Sequence, residues 1–240
     1  MSDNPTRTNI EELGEFGLID KITQSFSAQQ PSTMMGVGDD AAIIQPTDEQ
    51  IVVTSDMLLE GIHFDLAYVP LEHLGYKSVA VNISDIAAMN AIPQQITVNL
   101  GLSNRFSVEA VEALYRGIGY ACKNYKVDLV GGDTTSSASG LVISVTALGA
   151  ASSQFITRRN SVYENDIVCV TGDLGAAYLG LQVLAREKQV FLSAPGQQPN
   201  LEKYDYVVRR QLRPEARMDI VYELRESEVI PTAMIDISDG

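Results

Sequence analysis

Basic residues are scarce in this 240-residue chain: 17 Lys and Arg stand against 31 Asp and Glu, a formal charge of −14. No excess of cations is available to displace counterions from a nucleic-acid backbone, which excludes a binder held by phosphate contacts. Adhesion to an anionic membrane surface is excluded on the same ground. Long apolar runs are missing too. The longest nearly apolar stretch, 141–151, is interrupted by Ser144 and Thr146 and is far too short to span a bilayer. Residues 1–8 are polar and lack the apolar core of a signal peptide. Cysteine and histidine are few. Cys122 and Cys169 have no Cys or His at zinc-ligand spacing and read as buried free thiols of a reducing cytoplasm. With only His63 and His73, no Ser/His/Asp or Cys/His arrangement can be assembled, and a surface or hydrogen-bonding role is the default for each. A Gly-x-x-x-x-Gly-Lys-[Ser/Thr] loop and the His-Arg-Asp and Asp-Phe-Gly sets of protein kinases are also absent. A nucleotide triphosphate bound by so acidic a chain must therefore be held mainly through metal ions.

What is there reads as a folded α/β chain of one large or two smaller domains. The spacing of Leu13, Phe16, Ile19 and Ile22 predicts a short helix over 11–26, with Gly14 and Gly17 against it. Strands are expected at 41–44 and 51–54 around the turn 46–49, a helix at 71–90 stopped by Pro93, and a strand at 95–100. Ser107 is a good N-cap for a helix running to Tyr125. Strands at 127–130 and 141–148 follow. After a polar connection at 152–160 the pattern restarts, with strands at 167–170 and 233–237 and helices at 174–186, 201–211 and 214–225. A boundary near 151 divides the chain into domains 1–151 and 152–240. The apolar segment 232–237 should be interior, yet the chain stops at Gly240, so the second domain is expected to be incomplete.

Aspartates gather where predicted strands begin or end: Gly36-Val37-Gly38-Asp39-Asp40, Thr54-Ser55-Asp56, Gly131-Gly132-Asp133 and Asp236-Ile237-Ser238-Asp239-Gly240. Any one of them alone is an ordinary turn residue. Four such places fit a ligand site beyond the strand ends, where carboxylates brought together would need cations between them. Mg²⁺, a hard ion that shares its shell between carboxylates and substrate phosphates, is the natural occupant. A fifth, Asp85, lies in the apolar helical stretch 79–89, on a stripe with Ser78 and Asn82 at i, i+4, i+7. It is either an exposed flank residue or a ligand facing the same site as Asp56, because an isolated buried carboxylate is very costly. Gly172-Asp173-Leu174-Gly175 opens a helix and fits an anion or a simple turn equally well.

At these residues the chain resembles the thiamine-monophosphate kinase family, in the superfamily that also holds aminoimidazole ribonucleotide synthetase, selenophosphate synthetase and a hydrogenase maturation dehydratase. The resemblance runs from Gly14 to Gly240. It rests on Gly-Val-Gly-Asp-Asp-Ala-Ala (36–42), Thr-Ser-Asp-Met-Leu-Leu-Glu-Gly-Ile-His-Phe (54–64), Ala-Val-Asn-Ile-Ser-Asp-Ile-Ala-Ala-Met (80–89), Gly-Gly-Asp-Thr-Thr (131–135) and Asp-Ile-Ser-Asp-Gly (236–240). His63-Phe64 points to this family among its relatives. The resemblance implies ATP-dependent phosphorylation of thiamine monophosphate to thiamine diphosphate, the last step in making that cofactor, by direct in-line transfer with several Mg²⁺ and no protein nucleophile or base. It implies metal ligation by Asp40, Thr54, Ser55, Asp56, Asp85, Asp133, Asp236 and Asp239, some through water. It implies nucleotide contacts from Tyr115, Gly132, Asp133, Arg159 and Ser238, and a substrate contact from His63. It also implies a cytoplasmic homodimer whose N-terminal mixed sheets share a β-barrel, followed by a second α/β sandwich domain. Other superfamily chemistry, on a phosphoribosyl amide or selenide, and a non-catalytic nucleotide-binding fragment are the alternatives. The family continues roughly a hundred residues past Asp-x-Ser-Asp-Gly, the ordinary size of such a domain.

Overall fold

The computed structural model describes residues 7–45, 47–194 and 199–238. Its centre is a four-stranded mixed sheet. β3 (Gln50–Leu59) runs antiparallel to β6 (Leu141–Ala151) along its whole length, from Gln50↔Ala151 to Leu59↔Val142. β6 runs antiparallel to β4 (Ile92–Leu102), and β4 runs parallel to β5 (Asp128–Ser136), so the order is β3-β6-β4-β5. A parallel pair needs a crossover, here α3 (Val108–Tyr125). A small antiparallel ribbon, β1 (Thr33–Met35) with β2 (Ile43–Ile44), lies beside the sheet. Gln95 Nε2 ties it there by donating to Ser32 Oγ at 2.8 Å and Thr33 Oγ1 at 3.1 Å. The buried Asp128 carboxylate secures the preceding loop by accepting from the Gln29 and Gln30 amides at 2.6 and 2.9 Å.

α2 (Leu71–Ala88) covers one face of the sheet, against β3, β4 and β6, and α3 packs on α2 and on α1 (Ile10–Thr23). The α2–α3 seam is closed by two glycines. A Cβ on Gly75 would stand 2.0 Å from the Leu114 carbonyl oxygen, and one on Gly117 would stand 1.8 Å from that of Glu72. Ser107 caps α3 as expected, accepting from the Ala110 amide at 3.3 Å. Among the described residues no helix covers the opposite sheet face. Ile51, Val53 and Met57 alternate along it and are largely exposed, Val53 at 60%. Among the described residues the sheet is open, not a closed barrel.

After β6 and an irregular stretch, 152–175, come three helices, α4 (Ala176–Ser193), α5 (Asp205–Leu212) and α6 (Met218–Glu226). Leu184, Val208, Leu212, Met218 and Val221 join the same buried cluster as α2 and α3. Lys188 with Asp65, the Arg225 guanidinium on the Asn90 carbonyl (2.9 Å) and the Ala216 amide on Tyr125 Oη (2.9 Å) fasten the two parts.

Several expectations are corrected. The segments 167–170 and 233–237 are not strands; Ile167 and Val168 are 90% and 87% exposed. A strand exists only through a hydrogen-bonded neighbour, and among the described residues none pairs with them. Pro93 does not merely stop a helix. It sits in β4, at a register shift between Pro93 and Gln95, where a proline is tolerated. α1 kinks at Gly14 (φ 68°), so its buried residues are Leu18 and Ile22, while Phe16 faces solvent. Cys122 is buried, which pushes its thiol up to about 12, but Cys169 is exposed.

Candidate functional site

β3 and α2 build the first half. Strand alternation turns Thr54 and Asp56 toward α2 and Ser55 toward the open face. Thr54 Oγ1 donates to Asp85 Oδ2 at 2.5 Å. The Asp56 amide donates to Asn82 Oδ1 at 3.1 Å, and Asn82 Nδ2 donates to the Ser78 carbonyl at 3.0 Å. The polar stripe Ser78–Asn82–Asp85 therefore faces β3, and Asp85 is half-buried and paired, not a free flank residue. Asn82 is fully buried and fixes the backbone that carries Asp56. A search for acids passes over it; its place on the stripe is the signal that finds it. Ser55 hydrogen-bonds the Val145 carbonyl at 3.2 Å and Thr146 Oγ1 at 3.0 Å on the opposite face. One ion cannot take the side chains of Thr54, Ser55 and Asp56 together.

β5 and the 36–40 loop build the second half. The row Asp56↔Val145↔Val98↔Gly132 crosses the sheet. Three strand spacings make that path about 14 Å. A Cβ on Gly132 would lie 1.8 Å from the Val98 carbonyl oxygen, so only glycine permits this approach. The 36–40 loop leaves β1 beside the same strand, Gly36 lying against Leu129 and Val130. Asp39 Oδ1 turns it by accepting from the Asp40 amide at 2.8 Å. Asp40 and Asp133 are both exposed.

The predicted acids thus form two sets on opposite edges of the sheet, because β3 and β5 are its outermost strands. Among the described residues no three His, Cys, Asp or Glu side chains meet as a metal-binding group. Asp236 belongs to the C-terminal segment and is half-buried. Its Oδ2 is buried without a hydrogen-bond partner, a costly state that a cation would relieve. Arg159 and Ser238 are exposed, and Asp239 lies outside the described residues. Tyr115 is buried in α3, edge-on to Phe26 with ring centroids 6.2 Å apart, and burial raises its phenol to about 12. His63 is exposed in the turn after β3. Its Nδ1 accepts from the Leu59 amide at 3.0 Å, which leaves Nε2 as the free donor. Lys188 grips Asp65 in the same turn and holds that carboxyl below its ordinary range. The donors in both sets are oxygens, hard ligands that fit Mg²⁺ better than a thiolate-seeking metal.

Residues 38–151 match the family model for the N-terminal domain of AIR synthase related proteins. The thiamine-monophosphate kinase of Bacillus subtilis (strain 168) is 36% identical over 230 residues, covering 95% of this chain and 67% of its own length. The crystal structure of thiamine-monophosphate kinase from Stenotrophomonas maltophilia K279a superposes with a TM-score of 0.72 at 34% identity, covering 89% of this chain and 65% of that one. A further solved structure, AaThiL complexed with AMPPCP and TMP, gives 0.64 at 31% identity, over 93% and 66%. The chain spans about two thirds of the length of these relatives.

Proposed function

The chain belongs to the thiamine-monophosphate kinase family, and we propose on that premise that it catalyses transfer of the γ-phosphoryl group of ATP to thiamine monophosphate, giving thiamine diphosphate. The observation that carries this reading is the Thr54–Asp85 and Asp56–Asn82 pairing across β3 and α2, in a chain that matches a named kinase along 95% of its length. AMPPCP and TMP on AaThiL support ATP and thiamine monophosphate as the two small-molecule partners.

The acceptor phosphate is an anion at neutral pH, so the reaction needs positioning and charge neutralisation more than a base. Mg²⁺ supplies that neutralisation when bound. Thr54, Asp56 and Asp85 would hold ions at the β3 edge, and Asp40 and Asp133 at the β5 edge. Asp236 and Asp239 would serve from the C-terminal segment. Two sets on separate edges suit several ions distributed along a row of phosphates. The chain's own work is to keep these donors in place. Thr54 orients Asp85, Asn82 holds the backbone of Asp56, and Gly132 lets the nucleotide approach β5 beside Arg159 and Ser238. His63 offers Nε2–H to the thiamine phosphate. Tyr115 is left out of the nucleotide contacts because its ring is enclosed by the core, and Ser55 out of the β3 ligand set because it faces away.

The proposed organisation is a first unit, 1–151, and a second, 152–240, in which the described residues form helices and no strand. The uncovered face with Ile51, Val53 and Met57 supports a homodimer in which two sheets enclose a common apolar interior. A cytoplasmic setting is proposed from the chemistry of the substrates; no helix among the described residues is long and apolar enough to cross a membrane.

The test is to incubate this chain with ATP, Mg²⁺ and thiamine monophosphate and to measure thiamine diphosphate. Product is expected, and Asp56→Asn or Asp85→Asn should reduce turnover at least a hundredfold with unchanged circular dichroism. Absence of product at high protein concentration refutes the proposal for this chain.

A further inference from the structure

A cavity among the described residues lies away from both acid sets, on the outer side of α2 and α3. It has a volume of about 510 Å³ and is lined by Glu72, His73 and Tyr76 of α2, Tyr120, Lys123 and Asn124 of α3, and Arg213 after α5. That volume is within the range of small-molecule sites. Its charge runs against that of the whole protein. Lys123 and Arg213 have no carboxylate partner among the described residues, while the only acid of the lining, Glu72, is taken by Arg116 at 3.6 Å.

The polar groups are fixed from behind. The Arg213 guanidinium lies over the Tyr76 ring, 4.6 Å from its centroid, leaving its edge N–H groups free to donate. Tyr76 is anchored in turn: its hydroxyl donates to Tyr125 Oη at 3.1 Å and accepts from Asn124 Nδ2 at 3.0 Å. The Ala216 amide donates to the same Tyr125 oxygen at 2.9 Å, which ties the Arg213 segment to the cleft floor. His73 Nδ1 is enclosed behind this lining with no hydrogen-bond partner among the described residues. Tyr120, half-exposed at the mouth, adds an aromatic wall.

We propose that this cleft binds a small phosphorylated aromatic molecule. The ring would lie against Tyr120, and the phosphate would be shared by Lys123 and the edge of Arg213. Because α2 and α3 form one wall and the α5–α6 connection the other, an occupied cleft would clamp the two parts of the chain together. The proposal is independent of the phosphotransfer reading.

Isothermal titration of the 240-residue chain with phenyl phosphate, without ATP or Mg²⁺, is the test. One site per chain is expected, weakened at least tenfold in Lys123→Gln and in Arg213→Gln and unaltered in Asp56→Asn. Inorganic phosphate and phenol should each bind at least tenfold more weakly than phenyl phosphate. Lys123 is exposed and unpaired, so its variant keeps the test valid if Arg213→Gln unfolds. The proposal is overturned by no binding, by binding that Lys123→Gln leaves intact or Asp56→Asn abolishes, or by inorganic phosphate matching phenyl phosphate.

Discussion

Replacing Gly75 or Gly117 by alanine tests whether the α2–α3 seam holds the site in place. In an isolated helix the change stabilises, by about 0.5–1 kcal/mol. Here each new methyl would sit about 1 Å inside the 3.0 Å floor of real Cβ contacts, against backbone oxygens that cannot rotate away. Relief requires the helices to separate, and overpacking of this kind costs about 1–3 kcal/mol or more. The clash outweighs the propensity gain, leaving a net loss of about 1–2 kcal/mol for either variant. Thermal unfolding followed by circular dichroism should show a midpoint lower by roughly 2–8 °C for a chain of this length. The two changes relieve each other, since one separation accommodates both methyls, so the double variant should lose less than the sum. A midpoint equal to or above that of the parent would refute the close contact of these helices. Additive losses would refute their sharing one seam.

Thr54→Val removes the hydroxyl that orients Asp85 while conserving volume. A hydrogen bond to a charged group contributes about 1.5–3 kcal/mol. The concentration of Mg²⁺ needed for half-maximal turnover should therefore rise about tenfold or more, with the fold retained. An unchanged Mg²⁺ requirement would argue against Asp85 as a ligand. Val53→Lys on the uncovered sheet face should leave the protein folded but monomeric by light scattering, in contrast to a dimeric parent. The Thr8 side chain, then the Glu109 amide, the Ser107 side chain and the Thr8 amide hydrogen-bond the Glu109 carboxylate and lower it from 4.5 to about 2, so it binds protons less readily when folded than when unfolded. Its contribution is complete above pH 4.5 and is lost as pH falls toward 2. Glu109→Gln should flatten that acid limb in a series of urea midpoints, and an unchanged limb would show that Thr8 does not hold the carboxylate.

Local pattern was a good guide where one element settles its own conformation. The stripe of Ser78, Asn82 and Asp85 is readable because a helix repeats every 3.6 residues, and Ser107 announces α3 because a cap acts on its own turn. It failed where the answer depends on distant chain. Ile167–Val170 has the composition of a strand, but a strand needs a neighbour that composition cannot supply. Adjacent Thr54, Ser55 and Asp56 look like one ligand set in a linear reading, and the two-residue period of β3 sends Ser55 to the other side. The distance between Asp56 and Asp133 is a matter of strand order, which only the pairing of β3 with β6 and β4 with β5 reveals.

That pairing has a consequence for synthesis. β3 is complete at Leu59, but the strand it must bond to begins at Leu141. At about 5–20 residues per second, the ribosome exposes β3 roughly 4–16 s before its neighbour exists. Throughout that interval α2 is its natural shelter. Slowing translation between codons 60 and 140 would lengthen the vulnerable period and favour aggregation of the nascent chain.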